Sequence, residues 1–121
     1  MKTGILSSGN IRAIYIQSDS PVVNEPGDAL DLISLCGERG VYRIILGEEC
    51  FAPGFFELRT GLAGEVLQKF TQYDIHVAII GDFSAVTSNS LRDFIRESNR
   101  LGRILFSSSA DEALARWNST L

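Results

Sequence analysis

Residues 76–107 read HVAIIGDFSAVTSNSLRDFIRESNRLGRILFS, and the order of patterns within them decides the fold. His76 to Ile80 is a short apolar run ending on Gly81-Asp82, as a buried strand and its turn would. Ser90 and Asp93 stand at capping-box spacing, where a hydroxyl and a carboxylate three residues on satisfy free N–H groups at a helix start. Leu91, Phe94, Ile95 and Ser98 then share one helical face, which predicts a helix from about Leu91 to Arg100, stopped by Gly102. Arg103 to Ser107 forms a second strand pattern. Two strands joined through a helix must run parallel, with a right-handed crossover.

The same alternation continues on both sides. Toward the C-terminus, Ser109 and Glu112 form a second capping box, and Ala110, Ala113, Leu114 and Trp117 share the face of a last helix. Toward the N-terminus, Ala63, Val66, Leu67 and Phe70 mark one helix, on which Glu65 and Lys69 make an i, i+4 pair. Ala29, Leu32, Ile33 and Cys36 mark another, started by Asn24-Glu25-Pro26 and stopped by Gly40 after Arg39. Val41 to Leu46 is the strand pattern between those two helices. Residues 47–58, GEECFAPGFFEL, read as a loop or broken helical turn that carries Phe51, Phe55 and Phe56 either as core plugs or as an apolar contact surface. Thr3 to Ser8 and Ile11 to Gln17 flank the two-residue turn Gly9-Asn10, which suits an antiparallel hairpin. The predicted order is β-β-α-β-α-β-α-β-α over residues 1–121, a single α/β domain with a mostly parallel sheet and an antiparallel N-terminal hairpin.

Composition narrows the function classes. Eleven Lys and Arg against 15 Asp and Glu give a net charge of -4, which disfavours nucleic acid and anionic membrane surfaces as partners. Apolar runs such as Val77 to Ile80 fall far short of the ~20 residues of a membrane-spanning helix, and MKTGILSSGNIRAIYI lacks the apolar core of a secretory signal. A cytoplasmic protein is expected. Cys36 and Cys50 have no CxxC spacing and no His or Cys cluster beside them, so they read as buried small hydrophobes, and no metal or other cofactor is implied.

The element order resembles that of the STAS domains, the family of the bacterial anti-sigma-factor antagonists, from about Ile11 to Trp117. Arg59-Thr60-Gly61-Leu62-Ala63-Gly64 is similar to the Asp-Ser-Ser-Gly-Leu-Gly motif that opens the second helix in that family, and Ser108 to Leu114 resembles its last strand-to-helix passage. Arg59 stands where the antagonists carry their phosphate-accepting serine, so Thr60, one position on, is the nearest hydroxyl. Gly61 to Phe70, Gly81 to Ser84 and Leu91 to Asn99 are similar, more closely, to a family of small bacterial proteins, domain of unknown function 4180. That likeness covers about Leu30 to Trp117, implies a bacterial cytosolic protein and brings no activity with it.

Ligands of parallel α/β sheets bind beyond the carboxyl ends of the strands. There the sequence gathers Arg59, Thr60, Gly61, Glu65, Asp82, Ser84 and Arg92 as candidate ligand- or partner-binding residues. Arg59, Thr60 and the N–H groups at a helix start suit a small anion, and Thr60 is the candidate phosphorylation site. The plainer reading makes Thr60 a cap and Gly61 and Gly64 packing residues. Glu48, Glu49 and Asp82 raise a receiver-like Mg²⁺ site, but the lysine such a site needs is replaced by Ser107, Ser108 and Ser109. Arg92, Arg96 and Arg100 form a stripe that Asp93 and Glu97 neutralise. His76 lies at the start of its strand, away from this edge, and no catalytic dyad assembles. The residue set leans against an enzyme. The expected function is a non-enzymatic regulatory module that binds a protein partner; the alternative is a small-molecule sensor or enzyme with its pocket at the carboxyl edge. The open edge of the hairpin would permit a homodimer.

Overall fold

A computed structural model describes residues 1–119. Its five strands are β1 Lys2–Ser8, β2 Ile11–Gln17, β3 Arg43–Gly47, β4 His76–Ile80 and β5 Ile104–Ser107. Its four α-helices are α1 Pro26–Arg39, α2 Leu62–Gln72, α3 Asn89–Leu101 and α4 Ala110–Ser119. The strands lie in the sheet in chain order; β1 is antiparallel to β2, and β2 to β5 run parallel. The α/β architecture and its order are those read from the sequence.

Because each parallel strand is laid beside the one before it, the three crossover helices land on one face. Ala29, Leu32, Ile33 and Cys36 of α1 and Ala63, Val66, Leu67 and Phe70 of α2 join Ile14, Ile16, Ile44, Leu46, Val77 and Ile79 of the sheet, with Phe94 and Ile95 of α3 packed against them. The other face is covered by α4 alone, whose Ala113, Leu114 and Trp117 meet Ile11, Ala13, Ile45, Ala78 and Leu105. The alanines Ala13, Ala78 and Ala113 are fully buried, and their small side chains let this helix lie close to the strands. Among the described residues no helix is long and apolar enough to cross a membrane.

Local chemistry explains where the elements begin and end. Pro26 occupies the first turn of α1, and the Asp28 carboxylate reaches back to accept the N–H groups of Asn24 (2.8 Å) and Glu25 (3.1 Å). Gly40 and Gly102 adopt left-handed conformations, φ 63° and 87°, that end α1 and α3. The α3 start differs from the reading at Ser90. Ser88 is the cap, its Oγ accepting from Leu91 N at 3.2 Å, and the helix begins at Asn89. Ser109 caps α4 as read, accepting from Glu112 N at 3.1 Å, while the Glu112 carboxylate takes the Ser108 hydroxyl.

Residues 47–61 fold as three successive 3-10 turns, Glu48–Cys50, Pro53–Phe56 and Leu58–Thr60. Phe51 and Phe55 are buried core plugs with ring centroids 4.3 Å apart. Phe56 is half-buried and continues an aromatic ladder through Phe83 at 6.1 Å to Phe106, a further 5.2 Å on. This ladder seats the long loop on the carboxyl end of the sheet.

Candidate functional site

The carboxyl ends of β3 and β4 open toward the loop at residues 47–61 and the turn at 81–88. Arg59 and Thr60 lie in the last 3-10 turn, before α2, and Gly61 (φ 78°) is the residue that turns the chain into the helix. The motif read as a helix start is therefore a latch ahead of one. Thr60 Oγ1 shares its proton between the carbonyls of Glu57 (2.9 Å) and Gly54 (3.1 Å) and accepts from Leu62 N at 3.3 Å. The hydroxyl thus ties two loop turns to the start of α2. Arg59 points into solvent, its side chain 86% exposed and 3.7 Å from the Glu57 carboxylate.

The other expected residues divide among three places. Asp82 accepts from Ser84 N (3.0 Å) and Ser84 Oγ (2.6 Å), bonds that hold its carboxyl below the ordinary carboxylate range. Arg92 donates through Nε to the Val86 carbonyl at 2.9 Å and ties α3 to the preceding turn. Glu65 belongs to neither group: it lines a separate groove with Pro26, Gln68, Lys69 and Gln72 between α1 and α2. Arg59 does share a shallow depression of about 590 Å³ with Glu57, Leu58, Ser88 and Ser90. Ser88 and Ser90, which share this depression, are not among the binding residues the sequence suggests.

Glu48 and Glu49 fold back over the strand ends. A Cβ at Gly81 would come within 2.5 Å of Glu48 Oε2, so this glycine makes room for the acid. With Asp82 engaged by Ser84, the three carboxylates do not converge; among the described residues no group of three or more His, Cys, Asp or Glu is placed to hold a metal ion. The stripe on α3 neutralises itself through Arg96 with Asp93 and Arg100 with Glu97, both at 2.6 Å. Burial pushes the Cys36 thiol up to about 11 and also raises Cys50, so both are poor thiolates.

A second polar cluster, at the opposite end of the sheet, was not assembled from the sequence. Arg43 and His76 are register partners on β3 and β4, and Arg103 directly precedes β5. His76 packs edge-on to Trp117, with ring centroids 6.3 Å apart, and the Arg43 guanidinium lies 5.9 Å from the same ring. Arg103 pairs with Asp74, which adopts φ 60° in the turn before β4 and is held below its ordinary pKa by that bond. His76 is pushed below its ordinary pKa, first by burial and then by Arg103 and Arg43.

The sheet order, with one antiparallel strand leading four parallel ones and a single helix closing the second face, defines a small α/β domain. A family model described as "Domain of unknown function (DUF4180)" matches residues 8–117, and the chain belongs to that family. No curated protein and no solved structure matches the chain.

Proposed function

We propose that this protein is a non-enzymatic regulatory module that binds a protein partner through the carboxyl edge of its sheet, with Thr60 as its control point. The Thr60 latch carries this reading. Phosphorylation would replace the hydroxyl donor by acceptor-only oxygens, so the bonds to the Gly54 and Glu57 carbonyls could not persist. The turns at 53–60 would be released together with Phe56, which touches Phe83 across the loop. A local charge change would in this way alter an apolar surface that a partner reads.

The STAS resemblance supports the same reading, since the antagonists of that family act as switched protein-binding modules; the likeness of Gly61 to Phe70, Gly81 to Ser84 and Leu91 to Asn99 to a family of small bacterial proteins supports a bacterial, cytoplasmic setting. The module differs from them in its switch, because Arg59 occupies the position of their acceptor serine. Affinity capture from the source cells with wild type and Thr60→Ala, followed by intact-mass measurement, tests the proposal. A partner whose retention changes with the substitution, and phosphate on wild type alone, is the expected result. Capture and phosphate content that are the same in both proteins would remove the switch.

The depression beside Arg59 favours a second reading, a sensor of a small anionic ligand. A metabolite screen in which ligands stabilise wild type, with the shift lost in Arg59→Ala, would establish it in place of the first.

A further inference from the structure

The amino ends of the parallel strands carry three neighbouring basic side chains and little to balance them. Side chains alternate along a strand, so Arg43 and His76 lie on the same face as Ile45 and Ala78, and Arg103 lies on the face of Leu105. This is the face that α4 covers, and Trp117 packs there against Arg43 and His76. Asp74 neutralises Arg103, but among the described residues the Arg43 guanidinium has no hydrogen bond or ion pair. The Nε atoms of both arginines are buried without an acceptor. A buried N–H without an acceptor is destabilising. Among the described residues no carboxylate is placed to satisfy the Arg43 guanidinium.

A depression of about 350 Å³ opens beside them, lined by Tyr42, Arg43, Tyr73, Asp74 and His76. Its volume lies within the range of small-molecule sites. The two tyrosines stand 55% and 56% exposed at its margin and present flat apolar rings next to the cations.

We propose that this depression binds a small phosphate monoester, with the phosphoryl group on Arg43 and His76 and the organic part against the rings of Tyr42 and Tyr73. A guanidinium presents several donors in a fixed fork, and the imidazole offers another from the adjacent strand. A tetrahedral dianion can accept from both directions at once. A phosphoryl group offers three acceptor oxygens to donors on two strands, where a carboxylate offers two. The site stands at the opposite end of the sheet from Thr60 and is independent of the switch proposed there.

His76 is the sole histidine of the chain, so its imidazole gives one unambiguous reporter signal in the folded protein. The test titrates that signal at neutral pH with phenyl phosphate and, separately, with inorganic phosphate. Both should give a saturable shift, with phenyl phosphate binding more tightly because only it engages the tyrosines. Arg43→Gln should weaken both by roughly tenfold or more, and without ligand it should melt close to wild type, since among its contacts only that with the Trp117 ring is lost while a buried N–H without an acceptor is removed. Tyr73→Ala, at an exposed position, should reduce the preference for phenyl phosphate and leave inorganic phosphate unchanged. A His76 signal that does not move or does not saturate, equal binding by Arg43→Gln, or an unaltered preference in Tyr73→Ala would each overturn the proposal.

Discussion

At the carboxyl ends of the strands, Thr60, Asp82, Ser88 and Arg92 each close a hydrogen bond to a residue no more than six positions away. At the amino ends, Arg43, His76 and Arg103 meet although each comes from a different strand or strand approach. The first group satisfies its own backbone, so its polar atoms hold loops in shape. The second group is brought together by the register of the sheet and is left with donors unsatisfied. Polar residues close in sequence are most often partners of one another; those joined only by topology are the ones whose chemistry is still open.

Trp117 gives the sharpest way to break this contrast, because it supports the amino-end row and lies in the one helix that covers its face of the sheet. It is 2% exposed, and its Nε1 donates to the Gly102 carbonyl at 3.1 Å. Trp117→Ala should cost about 3–5 kcal/mol in urea unfolding, the range for a large buried aromatic. The local latch at the other end should matter less. Thr60→Val keeps the shape and removes the hydroxyl, and should cost about 1–2 kcal/mol, with faster amide exchange confined to residues 53–62. Similar costs for the two substitutions, or exchange spreading across the sheet in Thr60→Val, would show that the loop turns are part of the core rather than a local fastening.

The same contrast explains how much was legible beforehand. Ala29, Leu32, Ile33 and Cys36, and likewise Ala63, Val66, Leu67 and Phe70, are buried on the faces that their spacing predicted. Periodicity reports which side of an element is covered, and the alternation of strand and helix patterns gave the element order and the parallel sheet. The α3 cap was read two residues late because Ser88 and Ser90 are both hydroxyls and Asp93 stands three residues after Ser90. In the structure Asp93 is taken by Arg96, and Ser88 serves the helix. Ser88→Ala should therefore cost about 1 kcal/mol, and Ser90→Ala close to none, in parallel thermal melts; the reverse order would restore the Ser90 cap. The amino-end cluster left no such local trace. His76 was read alone and correctly placed at the start of its strand, but its neighbours Arg43 and Arg103 become neighbours only when β3, β4 and β5 pair.

The smallest effect expected is also the one most particular to the amino end. His76 has its pKa lowered by burial and by the two arginines, so in the folded protein it takes up a proton less readily than in the unfolded chain. Below the ordinary histidine value of about 6.5 the unfolded chain binds more protons than the folded one. Stability should thus be fully present above that pH and decline as pH falls through the lower folded value. Asp74, lowered by its bond to Arg103, contributes in the same direction but in the separate window below the ordinary aspartate range. His76→Gln removes the first decline and leaves the second. Urea unfolding midpoints for wild type and His76→Gln, compared from pH 7.5 down to pH 4.5 in steps of about half a unit, should converge or cross as wild type loses stability. Arg43→Gln should give an intermediate slope, because one of the two cations that oppose protonation is gone while burial remains. Parallel curves for all three proteins would mean that the strand register does not couple these side chains, and the distinction between the two ends of the sheet would then rest on hydrogen-bond geometry alone.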